Sequence, residues 1–293
     1  MKALIEKANV LIESLPYIKK FYGKTFVIKY GGAAMVDDNL KNAFAQDVVL
    51  LNFIGIKPVI VHGGGPKINK VMEQMGKKPT FIQGQRFTDS ETIDIVEMVL
   101  GGLINKQIVS LINSHGGRSI GLSGKDGNLI KAKKKVIRKV SPETGAPEII
   151  DLGLVGEVEK VNPQILFSME RDGFIPVIAP ISAGHSNETL NINADYIAGT
   201  VASALKAEKL ILLTDVEGIK DKKSKLLSTL SAKKIKPLIA NGTISGGMLP
   251  KVQACQSAIE NDVKKAHIID GRVPHALLLE IFTEKGIGTE IVK

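Results

Sequence analysis

Apolar residues recur along this chain in two rhythms. Short runs that are apolar throughout alternate with longer segments in which apolar positions return every three or four residues. Runs of the first kind end or fill TFVIKYGG (25–32), KPVIVHGGG (57–65), RSIGLSG (118–124), GFIPVIAPI (173–181), EKLILLTDV (208–216), KAHIID (265–270) and GTEIVK (288–293). They predict strands, and continuous stretches such as VIVH and LILLTD suit strands buried on both faces. Helices are predicted over 38–53, from Pro66 onward, and over 89–116, 163–172, 194–206, 248–261 and 274–284. Pro66 falls where a first helical turn has no use for an N–H donor, and Asp89 or Ser90 caps the long helix. NLIKAKKKVIRKV (128–140) and LGLVGEVEKV (152–161) read as further strands with a Pro/Gly turn between them. Near the start, Leu4, Ala8, Leu11, Leu15 and Ile18 share one helical face, with Pro16 expected to kink it. That face fits packing on its own domain, or an arm that pairs with another subunit.

Strand and helix alternating at this spacing imply right-handed crossovers and an α/β fold with a largely parallel sheet. Ligands of such sheets bind beyond the carboxyl ends of the strands. Those ends carry Lys29-Tyr-Gly-Gly, His62-Gly-Gly-Gly, Gly121-Leu-Ser-Gly, Pro180-Ile-Ser-Ala-Gly and Thr214-Asp-Val-Glu-Gly. Small, flexible residues therefore collect along one edge, which reads as a long binding edge.

Composition narrows the classes. A chain of 293 residues suits one large α/β domain or two lobes. The 44% hydrophobic and 24% charged content is ordinary for a globular protein. The net charge of +9 invites nucleic acid as a partner, but aromatics are 4%, Trp is absent, and no helix-turn-helix or RNA-stacking signature occurs. The lysine runs KAKKKVIRK and KDKKSK read as solvated turns and faces. One cysteine, Cys255, excludes an internal disulfide framework, and no Cys/His spacing suits zinc, so no metal ligand is expected. A reducing, cytoplasmic setting is the expectation. No uninterrupted apolar run approaches the roughly 20 residues of a membrane span, and Glu6 and Glu13 make the start a poor signal peptide.

The common phosphate motifs fail. Gly63-Gly-Gly-Pro-Lys-Ile68 lacks the last glycine of a dinucleotide fingerprint, and Gly124-Lys125 is followed by Asp126 where a P-loop needs Ser or Thr. No protein-kinase, zinc-protease or serine-hydrolase signature is present. What remains is less common. Lys29 stands at the exit of a buried strand beside Gly31 and Gly32, where a fixed ammonium and bare N–H groups suit a polyphosphate. Lys251 follows Gly246-Gly247 at a helix start, itself an anion site. Asn191, Asn193 and Asp195 alternate in LNINAD, so extended backbone puts them on one side. Asp195 is then either a helix cap or the counter-charge that orients both lysines. Arg86, ahead of a capped helix, is an exposed arginine or a bidentate carboxylate clamp. His62 reads as a packed strand-end histidine.

IKYGG, VHGGG (61–65), the Asn-x-Asn-x-Asp of 191–195, LLTDVEGI (212–219) and GGMLPK (246–251) together resemble the amino acid kinase family in order and spacing over nearly the whole chain. VHGGGPKI, GQRFTD and LNINAD are most similar to its members that act on N-acetyl-L-glutamate. The resemblance implies an open three-layer αβα sandwich with a mainly parallel central sheet, divided as an oligomerising arm (1–22), a lobe for the acetylated amino acid and dimerisation (23–173) and a lobe for ATP and effector (174–293). It further implies MgATP as co-substrate. Lys29 and Lys251 would stabilise the moving phosphoryl group, organised by Asp195. Gly64 and Gly65 would offer N–H groups, Arg86 would clamp the substrate α-carboxylate and Asn191 its amide side. Gly31, Gly32, Thr214, Asp215, Gly218 and Gly247 would receive the nucleotide. The two chain ends resemble those of arginine-inhibited members, which implies a hexameric ring interlaced by the N-terminal helix and an arginine site near His267, Glu280 and Gly288. The alternatives left open are a relative acting on another acid, such as acetylaminoadipate, and a non-catalytic nucleotide sensor.

Overall fold

The computed structural model describes residues 1–140 and 147–293. The first half contains α1 (Lys2–Phe21), β1 (Thr25–Tyr30), α2 (Asp38–Phe53), β2 (Lys57–His62), α3 (Gly65–Gln74), β3 (Phe81–Ile82), β4 (Gln85–Arg86), α4 (Ser90–Glu97), α5 (Asn105–Ser114), β5 (Ser119–Ser123) and β6 (Ile130–Val140). The second contains β7 (Pro147–Val161), α6 (Gln164–Arg171), β8 (Ile175–Ala179), β9 (Ile181–Ala183), β10 (Thr189–Asn191), α7 (Ala194–Ala204), β11 (Lys209–Thr214) and β12 (Thr229–Ser231). It ends with α8 (Ile235–Ala240), α9 (Met248–Glu260), β13 (Lys265–Asp270), α10 (Ala276–Ile281) and β14 (Thr289–Val292). The Pro/Gly turn expected between β6 and β7 lies outside the described residues.

An 8-stranded sheet in the order β12-β14-β13-β11-β1-β2-β8-β5 forms the middle layer. Its pairs are parallel except β13–β14. Successive side chains of a strand point to opposite faces, and the core divides accordingly. Phe26, Ile28, Tyr30, Ile60, Ile211 and Leu213 face one hydrophobic layer with α2, α4, α5 and α10. Val27, Val59, Val61, Leu210 and Leu212 face the other, with α6, α7 and α9. This is the three-layer αβα sandwich the sequence implies. β6, β7, β9 and β10 close into a small barrel beside it. β8 takes its partners from β2 and β5, which precede residue 173.

The parallel register places the functional edge. Lys29 lies opposite Val61 and Leu212, and Tyr30 opposite His62. The chain therefore leaves β1 and β2 at the same height, and the two glycine segments emerge side by side.

Two expectations need correction. The long helix 89–116 runs from Ser90 to Ser114 but changes character inside: Met98–Ile104 is a π-helical segment between α4 and α5. By length and composition this 25-residue run would also pass for a membrane span. Here Val96, Val99, Leu100, Ile104, Ile108 and Ile112 lie in the core. The last helix is shorter than 274–284, because His275 takes left-handed backbone (φ 57°) and α10 begins only after it. α1 continues through Pro16 as one helical element.

Candidate active site

Asp195 is the second residue of α7, and the helix cap is Asn193, whose side chain accepts from the Asp195 N–H at 2.8 Å. The Asp195 carboxylate is thereby free to face the sheet edge, almost wholly buried. Lys251, in the first turn and a half of α9, donates to its Oδ2 at 2.8 Å. Lys29 approaches Oδ1 to 3.3 Å from the end of β1, an ion pair without hydrogen-bond alignment. Burial pushes the Asp195 pKa up, but the two lysines outweigh it and hold the carboxyl below its usual range. The result is one carboxylate bridging two ammonium groups, with one positive charge in excess. Asn193 itself is exposed and borders the same cleft as Asp195.

Glycine shapes the space around Lys29. A Cβ on Gly31 would strike the Lys29 ammonium, so the bare backbone there is what lets the lysine lie across the strand tips. The Gly63 N–H donates to the Tyr30 carbonyl at 2.8 Å, tying the second glycine segment to the end of β1. Gly65 then opens α3, with Pro66 in its first turn. A cleft of about 830 Å³ is lined by Lys29, Gly31, Gly32, Gly63, Gly64, Gly65 and Asp195, and continues past Lys67 and Lys70. Excess positive charge, bare N–H groups and the start of a helix converge on it, which is the chemistry of an anion site.

Arg86, on β4, stands behind this segment. It is buried, not exposed. Its guanidinium donates to Asn69 Oδ1 and the Gly65 carbonyl (3.3 Å), touches Met72 Sδ at 3.2 Å, and lies over the Phe81 ring. Burial draws its pKa down. Asn191 donates to Thr88 Oγ1 at 3.3 Å, and that hydroxyl donates to the Arg86 carbonyl at 3.0 Å. Thr88 thus links the two expected substrate contacts, a role with no signal in its sequence context.

A second cavity of about 380 Å³ is lined by Asp215, Gly218, Lys220, Ser245, Met248 and Arg272. Gly247 is the N-cap of α9 beside it. Asp215 joins the two spaces: its Oδ1 accepts from the Ala33 N–H at 2.5 Å and abuts Gly32. Thr214 turns inward, its hydroxyl within 2.8 Å of the Val216 carbonyl and 3.2 Å of the Ile269 carbonyl. Arg272 was not anticipated. It chelates Asp270 at 2.9 and 2.7 Å and holds that carboxyl below its usual range. The Asp-Gly-Arg that ends β13 was the available signal. Cys255, on α9, is buried, and burial pushes its thiol up beyond the ordinary range.

His267 and Glu280 form a separate, interior pair. Glu280 Oε1 lies 2.6 Å from His267 Nδ1, and Oε2 accepts from the Ile287 N–H at 2.8 Å. Lys209 Nζ is 3.1 Å from His267 Nε2 and lies over the Phe21 ring at the end of α1. Burial lowers the His267 pKa and brings Lys209 down to about 8. Gly288 abuts the Ile268 carbonyl.

With this geometry in hand, comparison with known proteins gives consistent results. A sequence profile described as the amino acid kinase family matches residues 24–270. An acetylglutamate kinase of Syntrophus aciditrophicus is 57% identical over 287 residues, covering 98% of this chain and 97% of that protein. An acetylglutamate kinase of Geotalea uraniireducens is 56% identical over 292 residues, covering 100% of both. An N-acetylglutamate synthase from Neisseria gonorrhoeae, solved with coenzyme A and N-acetyl-glutamate, superposes with a TM-score of 0.84 at 25% identity. That alignment covers 98% of this chain but 63% of the synthase. A carbamate kinase from Giardia lamblia bound to AMP-PNP shares the fold, with a TM-score of 0.62 at 16% identity and coverage of 92% and 99%.

Proposed function

Because the chain belongs to the amino acid kinase family, we propose that it is an ATP-dependent kinase of N-acetyl-L-glutamate, forming the 5-phosphate within arginine biosynthesis. The full-length likeness to acetylglutamate kinases supports the substrate. The observation that carries the reaction type is the Lys29–Asp195–Lys251 bridge, whose Lys29 and Asp195 line the glycine-bordered cleft.

The γ-carboxylate of the substrate attacks the γ-phosphorus of MgATP in line. An ordinary glutamate side chain titrates near 4.3, so the nucleophile is ionised at neutral pH and no general base is needed. The obstacle is repulsion between two anions. Lys29 and Lys251 offset it where charge gathers on the equatorial oxygens, and Asp195 keeps both ammonium groups in register. The N–H groups of Gly64 and Gly65 meet the transferring group. Arg86 and Asn191 hold the acid from the Thr88 side. Gly31 and Gly32 face the phosphates, and Thr214, Asp215, Gly218 and Gly247 border the nucleotide in the second cavity. Magnesium enters with the nucleotide. The lobe for the acid comprises residues 23–173, and residues 174–293 serve ATP, in a cytoplasmic enzyme.

We further propose control by arginine in a homohexamer. Leu4, Leu11, Ile12 and Leu15 of α1 are largely exposed, an apolar face suited to a second subunit. The same helix ends against Lys209, which in turn contacts His267 of the His267–Glu280 pair, where Glu280 would meet the effector cation by releasing its present partners. Gly288, against the Ile268 carbonyl, belongs to the same proposed site.

A coupled ADP-release assay tests the reading, with N-acetylglutamate, acetylaminoadipate, glutamate, aspartate and carbamate as acceptors, with and without arginine. Turnover is expected on N-acetylglutamate and should fall on adding arginine. Lys29→Ala and Lys251→Ala are each expected to lower kcat by about 10²-fold or more, with KM for ATP changed only several-fold. Wild-type kcat in either variant would refute the phosphoryl-stabilising role.

A further inference from the structure

The π-helical segment sits against the glycine loop. The side chains of Leu100 and Ile104 occupy the space that a Cβ on Gly64 would need. The next residue, Asn105, is buried and turned toward the strand tips. Its Nδ2 is 2.9 Å from the Val177 carbonyl, 3.4 Å from the Leu122 carbonyl and 3.3 Å from His62 Nε2. Lys106 donates to its Oδ1 at 3.2 Å. Two carbonyl neighbours on one side and an ammonium on the other settle the amide orientation: the NH₂ group faces His62.

That orientation decides the histidine. Nε2 faces a donor group and Nδ1 faces a carbonyl, and together the two contacts place the proton on Nδ1. Nδ1 is 2.8 Å from the carbonyl of Gly63 and donates to it. Burial holds the His62 pKa down to about 4, which keeps the ring neutral and this tautomer intact at physiological pH. A trans peptide is planar, with its N–H antiparallel to its carbonyl. Drawing the Gly63 carbonyl inward to the buried ring therefore turns the Gly64 N–H outward, toward the cleft. Among the described residues, no protein acceptor meets that N–H.

We propose that Asn105 and His62 are positioning residues that fix the Gly63–Gly64 peptide and so aim the Gly64 N–H at the transferring phosphoryl group. The π segment is part of this device. It carries the helix past Gly64 with Leu100 and Ile104 in contact, and delivers Asn105 to the His62 ring. A preset donor of this kind stabilises charge without reorganising during the reaction. The inference rests on the phosphoryl-transfer reading above.

The test uses two substitutions of one ring. Asparagine places an amide N–H where Nδ1 was, and glutamine places one where Nε2 was. His62→Asn keeps the donor to Gly63 and is expected to hold kcat within about 3-fold. His62→Gln loses that donor and is expected to lose about 10²-fold in kcat, with KM for ATP and acid little changed, as for removal of one preset donor. Assays run well below the thermal midpoint of each variant. Glutamine is closer to histidine in volume, so a role in packing alone predicts the reverse order. The reverse order, or equal loss in both, overturns the proposal. ¹⁵N NMR of the wild-type imidazole should show protonated Nδ1 and bare Nε2, and Asn105→Leu should convert this to a mixture of tautomers. The opposite tautomer in the wild type, or no change in Asn105→Leu, removes Asn105 from the role. A wild-type protein that turns over no acid of the panel instead sinks the kinase reading, and leaves the tautomer result standing by itself.

Discussion

Burial sets the His62 pKa near 4, against an ordinary value of 6.5. Between those values the unfolded chain binds a proton that the folded one refuses, so stability is full above about 6.5 and falls as the pH drops toward 4. The group contributes roughly 3 kcal/mol across that window at about 1.4 kcal/mol per pKa unit. Asp47 acts in the opposite sense over the same range. Burial beside His275 pushes it up to about 6, so the folded state gains relative stability as that carboxyl protonates. Urea melts of wild type and His62→Asn, at about pH 7.5 and pH 4.5, separate the two: the difference between the proteins should shrink or invert at the lower pH. A constant difference would show that His62 does not titrate as described. Gly64→Ala should cost about 1–3 kcal/mol by forcing Leu100 and Ile104 aside and should lower kcat beyond what the stability loss explains, read by thermal melts beside turnover. At this scale the sequence was informative about Lys29, Lys251 and Asp195, because a lysine at a strand exit among glycines has few ordinary explanations. It was silent on Asn105, Thr88 and Arg272. Each depends on which remote segments meet, and a buried asparagine in a helix looks like any other polar position until its neighbours are known.

Elements tell a similar story with different exceptions. Strands with unbroken aliphatic runs were legible to within a residue or two, since only a sheet covered on both faces tolerates them. The π segment was not legible. Its apolar positions still fall on one side of the helix, and the pair Gly101-Gly102 marks only a place where the backbone is easily rewound. The shortening of α10 also escaped notice, because left-handed backbone at a histidine has no clear signature in sequence. The face expected of α1 is exposed at Leu4, Leu11 and Leu15, and it carries a prediction. Tyr17 packs edge-on against Phe282 and Phe21 against Phe26, so removing residues 1–15 should spare the core. The truncated protein is expected to keep its turnover with N-acetylglutamate, to sediment as a smaller species, and to lose arginine sensitivity. Unchanged sedimentation would exclude α1 from assembly.

For the whole molecule, the contact of Asp215 with the Ala33 N–H makes one continuous working edge from two cavities. Nucleotide bound there should stabilise the fold by about 2.7 kcal/mol at 100 times its Kd, or a few degrees in Tm for a chain of this size. AMP-PNP should produce that shift in wild type and a smaller one in Lys251→Ala; an equal shift in both would place the phosphates away from Lys251. The lone thiol of Cys255 offers a way to watch the same event without a substrate. It is enclosed on α9, one turn beyond Lys251, and protonated well above neutrality, so a disulfide reagent can reach it only when α9 lifts from the sheet. Its labelling rate is thus a built-in clock for opening. Slower modification as AMP-PNP fills the cleft would time how firmly the closed edge is held.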